Sequence, residues 1–368
     1  MRFPEFSGEW KMCTIGELIT KVGSGVTPRG GEAVYKTEGH PFVRSQNVGL
    51  GNLLLDDIAF IDEETHLRQK NTELQFNDVL LNITGASIGR SALVDKQIVG
   101  GNVNQHVCII RTKENLVPSF ICSFLLSNYG QRQIDSFQAG GNRQGLNFEQ
   151  IKSIKITIPS KDEQIKIAKL LRAIDERIAT QNKIIEKLQS LIKGIAQNVA
   201  RNNKPNIRLS ECLECSSSTL QESDVCKNGT YPVYGANGIV GYLDNYNTEK
   251  EAVYIIKDGS GVGTVSYVTG KCSATGTLNT LQAKEGYSLQ YLYYMLKVFN
   301  FEPYKTGMAI PHIYFKDYGK AKIFCPSYTE QLKYVELLSA IDNKLSAEQS
   351  ILTDLSLQKQ YLLSQMFI

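Results

Sequence analysis

The sequence PSKDEQIKIAKLLRAID occupies Pro159–Asp175, and a closely similar one, PSYTEQLKYVELLSAID, occupies Pro326–Asp342. The copies lie 167 positions apart, and at that offset 13 of the 33 positions from 156 to 188 carry the same residue type. Chance does not account for this degree of identity, so the chain contains an internal repeat. The repeat decides the fold, because the rest of the sequence is arranged around its two copies.

Each copy carries the signals for the end of a strand and the start of a helix. The β-like runs IKITIP and AKIFCP come first, and their proline stops the strand. Ser160 and Ser327 follow, with Glu163 and Glu330 three residues later. This spacing predicts a capping box, in which the serine hydroxyl accepts a bond from a backbone amide and the glutamate reaches back to the helix start.

The two helices predicted to follow are long and carry an apolar stripe. Its residues recur in steps of three and four, which is typical of a coiled-coil seam. The residues predicted to pair are Leu171, Ile174, Ile178, Ile185, Leu188 and Ile192 in the first helix, and Leu338, Ile341, Leu345, Leu352, Leu355 and Leu362 in the second. Gln181, Glu348 and Lys359 interrupt the stripes, and such polar positions can fix the register of a pair.

Charge favours pairing of these helices with each other. Residues 160–203 carry nine basic and five acidic groups, whereas residues 327–368 carry three basic and five acidic groups. The opposite balances and the matching stripes predict an antiparallel pair. The alternative is two ordinary amphipathic helices, each packed on its own core.

The repeat divides the chain into domain, helix, domain, helix. We predict a first domain at 1–158, a central helix at 159–202, a second domain at 203–325 and a C-terminal helix at 326–368, with the polar stretch RNNKPN as a linker. DVLLNITGASIG (Asp78–Gly89) resembles AVYIIKDGSGVG (Ala252–Gly263), since both are an apolar strand followed by a glycine-rich turn. The predicted fold class is therefore α+β, with two similar mixed α/β domains joined by two long antiparallel helices.

The two domains differ in composition, although they share a fold. Of the 18 tyrosines, two precede residue 205 and 16 follow it. Related domains with different surfaces are expected to bind different targets. The formal charge of +3 is weak evidence for a nucleic-acid partner, so any DNA contact must use local patches.

Composition also bounds the location and the thiol chemistry. No apolar run approaches a membrane span and the start MRFPEFSGEWK has no signal-peptide core, so we expect a cytosolic protein with reduced cysteines. Cys212 and Cys215 have C-x-x-C spacing, but no second pair follows. Small buried thiols are favoured over a zinc site, which needs about four ligands.

Catalytic motifs are weak throughout. GSGVG (Gly259–Gly263) lacks the Lys-Ser/Thr of a P-loop, and its continuation alternates like a strand rather than a helix, which favours a tight turn. The sequence has no metalloprotease H-E-x-x-H, no G-x-S-x-G and no pair of adjacent prolines, which the target-base box of adenine methyltransferases requires. EWK (Glu9–Lys11) is too short to indicate a nuclease.

Polar glycine-rich loops are the remaining candidates for function. Arginine suits guanine edges, and asparagine or glutamine suits adenine edges, although the same residues also populate ordinary turns. The candidate DNA contacts of the first domain are Arg29, Arg44, Gln46, Asn82, Thr84, Ser87, Arg90, Asn104, Gln105, Asn142, Arg143 and Gln144. Those of the second domain are Tyr234, Asn237, Lys257, Ser260, Lys271, Asn279 and His312.

The whole pattern resembles the specificity subunit of a type I restriction–modification system. The resemblance rests on the two Pro-x-x-x-Glu-Gln…Ile-Asp helix starts and on YPVYGANGIVGY (Tyr231–Tyr242), which is similar to one class of target recognition domain. It implies that each domain recognises one half of a split, asymmetric double-stranded DNA sequence. It also implies that the helices act as a spacer and hold two methyltransferase subunits.

The resemblance further implies a non-catalytic chain that binds no cofactor or metal. S-adenosylmethionine is then expected in the methyltransferase subunits, which methylate adenine, and ATP with Mg²⁺ in restriction subunits where these are present. Two alternatives stay open. The chain could be a solitary nuclease or methyltransferase with an unrecognised site, or a DNA-independent scaffold built on a coiled coil.

Overall fold

The computed structural model describes residues 2–138, 145–307 and 310–367. The chain divides into two compact units, one formed by Met1–Gln181 with Ile351–Ile368 and the other by Asn182–Ser350. Both divisions fall inside the long helices. Each unit therefore contains one sheet-rich domain and a part of each long helix.

The first unit begins with alternating short strands and helices. Its strands are β1 (Lys11–Thr14), β2 (Ile19–Ser24), β3 (His40–Val43), β4 (Ala59–Ile61), β5 (Val79–Asn82), β6 (Ser91–Leu93), β7 (Asn102–Val103), β8 (Val107–Thr112) and β9 (Lys155–Ile158). Its helices are α1 (Ile15–Leu18), α2 (Glu63–Arg68), α3 (Pro118–Leu126), α4 (Asn128–Ser136) and α5 (Phe148–Ser153), followed by the long α6 (Lys161–Asn202).

The second unit repeats this plan with fewer helices. Its strands are β10 (Ile207–Arg208), β11 (Leu213–Ser217), β12 (Tyr231–Gly235), β13 (Gly238–Leu243), β14 (Ala252–Ile256), β15 (Val265–Val268), β16 (Ser273–Ala274), β17 (Leu278–Ala283) and β18 (Lys322–Ile323). Its helices are α7 (Leu209–Cys212), α8 (Leu289–Lys297), α9 (Phe315–Tyr318) and the long α10 (Tyr328–Met366).

The sheets of the two units have the same strand order. The first unit has sheets β2-β8-β5-β6, β4-β3-β7 and β1-β9, and the second has β11-β17-β14-β15, β13-β12-β16 and β10-β18. Even the parallel pairing of β3 with β7 recurs as the parallel pairing of β12 with β16. The prediction of two diverged copies of one mixed fold is therefore confirmed.

The central strands explain why the sequence adopts these sheets. Every residue of β5 and of β14 is buried, and both strands are dominated by aliphatic side chains. Full burial of one such side chain contributes about 1.5–3 kcal/mol. The glycine-rich segment Gly259–Gly263 connects β14 to β15, so the sequence after it forms a strand, as predicted, and no helix follows that could hold a dinucleotide.

The predicted capping boxes are each half formed. At the first helix the Glu163 amide donates to Ser160 Oγ at 3.4 Å, but the Glu163 carboxylate does not reach back. It is fully buried and accepts two bonds from the Arg2 guanidinium, at 2.8 and 2.9 Å. At the second helix the Glu330 carboxylate does reach back, and accepts from the Ser327 amide at 3.3 Å and from Ser327 Oγ at 2.8 Å.

The glutamine of each repeat fastens its domain to its long helix. Gln164 and Gln331 are both almost completely buried. The Gln164 side-chain oxygen accepts the Val117 amide at the start of α3, and the Gln331 oxygen accepts the Ser288 amide at the start of α8, both at 2.9 Å. The two side-chain amides donate to the carbonyls of Pro159 and Pro326. The same residue thus satisfies the same backbone groups in both units.

The long helices bury the stripe that their sequence predicts. Each of the predicted pairing residues is buried or half-buried. In the first unit, Leu171 near the start of α6 shares a core cluster with Leu362 near the end of α10. In the second unit, Ile192 of α6 and Leu345 of α10 line one cavity of about 290 Å³. The start of α6 is thus with the end of α10, and a later part of α6 is with an earlier part of α10, which is antiparallel pairing.

Lys359 and Glu348, which interrupt the apolar stripe of α10, each form an ion pair. In the first unit, Lys359 forms an ion pair with Asp175 at 2.6 Å and also donates to the Leu50 carbonyl at 3.3 Å. In the second unit, Glu348 is buried and pairs with Lys344 of the same helix. Both pairs satisfy a charge in an apolar seam, and the Lys359–Asp175 pair, which joins the two helices, also restricts their register.

We expect Gln331→Ala to destabilise the second unit, because the Ser288 amide and the Pro326 carbonyl would lose their partner. Leaving buried polar groups unsatisfied costs about 1–3 kcal/mol of unfolding free energy. Gln360→Ala, at an exposed position of the same helix, should change the unfolding free energy by less than about 0.5 kcal/mol. Urea denaturation of the two variants measures the difference. Equal midpoints would contradict the fastening role of Gln331.

Candidate nucleic-acid interface

The polar loops of each domain meet at one end of its central sheet. In the first domain the turn Ile83–Arg90 follows β5, and in the second the turn Lys257–Thr264 follows β14. Gly85 and Gly89 have φ of +73° and +85°, and their counterparts Gly259 and Gly263 have φ of +95° and +90°. These left-handed conformations favour glycine, so both turns have the same backbone course.

The same backbone hydrogen bonds hold neighbouring loops against each turn. They join the end of β3 or β12, the loop before β8 or β17, and the segment before α5 or α9. In the first pair, the Asn104 amide donates to the Val43 carbonyl (3.0 Å), as the Thr275 amide does to the Tyr234 carbonyl (2.9 Å). In the second pair, the Ile83 amide donates to the His106 carbonyl, as the Lys257 amide does to the Thr277 carbonyl (both 3.0 Å). In the third pair, the Leu146 amide donates to the Ile83 carbonyl (2.8 Å), as the Ile313 amide does to the Lys257 carbonyl (2.9 Å). We call this set the loop frame.

The first-domain frame carries a chain of polar side chains. Thr84 Oγ1 lies 2.6 Å from His106 Nδ1, and Gln105 Nε2 lies 3.4 Å from His106 Nε2. The Gln105 oxygen accepts the Thr27 amide at 3.2 Å. Gln105 is exposed and Thr84 is half-buried, so this chain reaches solvent with hydroxyl, imidazole and amide groups.

The buried side chain of Asn82 links the loop after β3 to the turn after β5. Its side chain is buried, and its amide donates to the Ser45 carbonyl at 2.8 Å and to Ser87 Oγ at 3.0 Å. In this structure Asn82 positions the loops rather than presenting its amide to solvent. Asn104 is also buried, and its side-chain oxygen accepts the His106 amide at 3.0 Å.

Asp57 accepts hydrogen bonds from two candidate residues that follow β3, Arg44 and Gln46. Arg44 donates to the Asp57 carbonyl at 2.6 Å and to its carboxylate at 3.3 Å, and Gln46 also donates to this carboxylate. The guanidinium of Arg44 lies 5.4 Å from the centre of the Tyr35 ring. Arg44 and Gln46 are therefore held in place by a carboxylate within their own domain.

The remaining first-domain candidates lie at the surface or outside the described chain. Arg29 and Arg90 are exposed. Asn142, Arg143 and Gln144 lie outside the residues that the structure describes, although Gly145, which follows them, bridges to Thr84. Contacts of all these residues with bases stay predictions.

The second-domain frame brings together Lys257, Ser260 and His312. His312 Nδ1 lies 2.7 Å from the Asp258 carboxylate, and the Gly259 amide donates to the Pro311 carbonyl at 3.0 Å. Ser260 is exposed at the tip of the turn, and Lys257 and His312 are half-buried. The corresponding positions of the first domain are Ile83, Ala86 and Gly145, so the second-domain frame carries a cation, a hydroxyl and an imidazole where the first domain has none.

The other second-domain candidates lie in three different places. Tyr234 is the penultimate residue of β12 and its carbonyl belongs to the frame, and Asn237 is exposed in the turn between β12 and β13. Lys271 lies at the opposite end of that hairpin, 4.7 Å from the centre of the Tyr246 ring, and a hydrogen bond with Tyr246 raises the pKa of Lys271. Asn279 is buried in β17 and accepts a bond from Ser217 Oγ at 2.8 Å.

Three residues of these clusters were missed as candidates. His106, Asp57 and Asp258 each contact a candidate side chain. His106 and Asp258 stand directly beside candidates in GNVNQH and IIKDGSGVG, so adjacency could have identified them. Asp57 lies 13 residues after Arg44 and had no such signal.

A family model now accounts for both domains. The type I restriction modification DNA specificity domain matches residues 7–190 and again residues 205–356. The chain belongs to this family. Because its members are DNA-recognition subunits, membership supports the prediction of a DNA-specificity subunit with no catalytic activity of its own and goes against a solitary nuclease or methyltransferase.

Individual relatives agree with the type I specificity family. A type I specificity subunit of Mycoplasma genitalium is 25% identical over 320 residues, which cover 79% of this chain and 81% of that protein. The crystal structure of a type I system S subunit from M. genitalium matches 100% of this chain and 97% of its own with a TM-score of 0.66 at 19% identity. A chain from a study of assembly and conformational transition of the type I R-M system matches with a TM-score of 0.56 at 16% identity, over 98% and 97% of the two chains.

The described parts of this specificity-family chain contain no membrane-crossing helix, because none is both long and apolar enough. Within residues 2–138, 145–307 and 310–367, no group of three or more His, Cys, Asp and Glu side chains is placed to hold a metal ion. Cys212 is buried and Cys215 half-buried. Burial raises the pKa of Cys212 to about 12 and that of Cys215 to about 11.

Thiol labelling at pH 8 should therefore be confined to one cysteine in the folded protein. Cys226 is exposed, whereas the other seven cysteines are buried or half-buried. Burial also raises the pKa of Cys108 to about 12 and that of Cys122 to about 11, which suppresses their thiolates. Mass spectrometry after brief treatment with iodoacetamide should find a single fast modification, and Cys226→Ser should abolish it. Equally fast modification of Cys212 or Cys215 would contradict this burial.

Proposed function

We propose that this specificity subunit recognises a bipartite, asymmetric DNA sequence and that each domain recognises one half. The observation that carries the proposal is the loop frame. Its backbone hydrogen bonds recur in both domains within about 0.1 Å, while the side chains that it presents differ at almost every position. Two equal frames with unequal side chains suit two different half-sites.

The side chains of the frame have the chemistry for base edges. The first domain presents Thr84, Gln105 and His106, and the second presents Lys257, Ser260 and His312. Lysine donates to guanine, glutamine pairs with adenine, and hydroxyls serve either role. The exposed Arg29, Arg90 and Lys271 suit phosphate contacts, which position a protein on the duplex without selecting sequence.

The partners belong to the same proposal. Membership of the specificity family supports assembly with methyltransferase subunits, and the two internal copies of the long helix support one docking position for each of two subunits. S-adenosylmethionine would bind to those subunits, and ATP with Mg²⁺ to restriction subunits where present. The complex would then act in the cytosol, where its DNA target lies.

The test is the methylated sequence of the assembled complex. Methylation of a randomised DNA library should show one split motif for the natural chain. Ser260→Ala and Lys257→Ala should relax base preference in one half only, by about 1–3 kcal/mol for a lost bidentate pair and less for a single bond. Gln105→Ala should relax the other half.

Ser266→Ala is the matched control, because Ser266 is an exposed serine on β15 outside the loop frame. It should leave both halves unchanged. Loss of base preference in both halves after a substitution in one domain would refute independent recognition, provided that the variant has the same unfolding temperature as the natural chain. Methylation by this chain in the absence of other subunits would revive the enzyme alternative.

A further inference from the structure

The start of α6 is covered by the N-terminal segment of the chain. Arg2 makes a two-bond ion pair with Glu163, which is fully buried as a result. One turn further along α6, Lys166 pairs with Glu5 and lies 4.6 Å from the centre of the Phe3 ring and 5.9 Å from that of Phe6. Residues 2–6, Arg-Phe-Pro-Glu-Phe, thus recognise a glutamate and a lysine spaced three apart.

This segment is folded for the contact. The Phe6 amide donates to the Phe3 carbonyl at 3.2 Å, so the segment closes into a turn with Pro4 inside it. Proline restricts the turn before binding and so lowers the entropy lost on contact. Phe3 and Leu170 both pack against the core cluster of the first unit, which gives the charged contacts an apolar neighbour.

The start of α10 repeats the recognised residues without the cover. Glu330, Lys333 and Leu337 are identical to Glu163, Lys166 and Leu170 at the offset of the repeat. Glu330 is exposed and bonds only within its own cap, and no ion pair involves Lys333 among the described residues. Leu337 is 50% exposed, whereas Leu170 is half-buried against the core cluster of the first unit.

Chain connectivity explains the difference between the two sites. Residues 2–10 precede β1 as an irregular segment that can fold over α6. The residues that precede β10 in the same way belong to the end of α6 and to the short linker, so they are committed to the helix. The second unit therefore keeps the acidic, basic and apolar residues of the site, but none of its described segments makes the contacts that residues 2–6 make in the first unit.

We propose that the start of α10, at Glu330, Lys333 and Leu337, is a docking site for a segment of a partner protein with the chemistry of residues 2–6. That segment carries an arginine for Glu330, followed by an aromatic residue and a carboxylate for Lys333. Tyr328 and Leu332, which are 50% and 44% exposed beside it, enlarge the apolar part of the site. On docking, the Glu330 carboxylate leaves Ser327 and turns to the incoming guanidinium. The proposal is independent of DNA recognition.

The test uses the full chain and a fluorescent peptide of residues 1–10, MRFPEFSGEW. Fluorescence anisotropy should show saturable binding of one peptide per chain. The double substitution Glu330→Ala with Lys333→Ala should weaken it by about tenfold or more, since two charge-assisted contacts are lost. The peptide with Arg2→Ala should bind equally weakly to the natural chain.

The control is Glu336→Ala, an exposed carboxylate two turns into the same helix. It should bind the peptide as the natural chain does. Binding that Glu163→Ala abolishes and the Glu330 double variant does not would overturn the proposal, because the peptide would then be displacing residues 2–6. Absence of saturable binding would also overturn it. So would dimerisation of the full chain that is lost with Glu330→Ala, because the occupant would then be a second copy.

Discussion

The structure depends on one buried amide that is used twice. Gln164 and Gln331 each connect a long helix to the first amide of a domain helix and to the proline carbonyl before the long helix begins. A buried amide is tolerated only where its donor and its acceptor are both satisfied. This requirement fixes the angle at which the chain leaves each domain. The glutamine thereby joins the proline that ends the strand to the start of α3 or α8.

A fixed junction allows the rest of the domain to diverge. The two sheets keep their strand order and the loop frame keeps its backbone bonds, because these are made by main-chain groups that every residue carries. Exposed side chains on the frame, such as Gln105 and Ser260, make none of these backbone bonds and can change without breaking them. Thr84 and Asp258 occupy equivalent positions and make different contacts, with His106 and with His312, on the same backbone. Such a division between a conserved scaffold and variable loops is how one fold serves many binding specificities.

The parts of the fold that could be predicted are those with a local or periodic signal. The repeat at a fixed offset, the three-four stripe and the glycine turn after an apolar strand all appear within a few residues of one another. The role of Gln164 could not be predicted, because it joins positions 47 residues apart, and neither could the burial of Asn82 and Asn279 within their domains. Composition marks asparagine beside glycine as a surface turn, yet Asn82 lies under the loops and joins Ser45 to Ser87. The sequence therefore predicts where the polar loops lie, but not which of their side chains are buried.

Duplication followed by divergence leaves an asymmetry at the helix starts. Glu163 is buried because Arg2 neutralises it, and its own cap is then completed by Ser160 alone. Glu330 has no guanidinium partner among the residues that the structure describes, and its carboxylate turns back to the cap of its own helix. One residue type thus adopts two roles that are decided by the presence of a guanidinium. A carboxylate of this kind can exchange its bonds to a neutral amide and hydroxyl for a two-bond ion pair with a guanidinium by rotation of its side chain. The second helix start is for this reason already arranged for a contact that the first one makes within the chain.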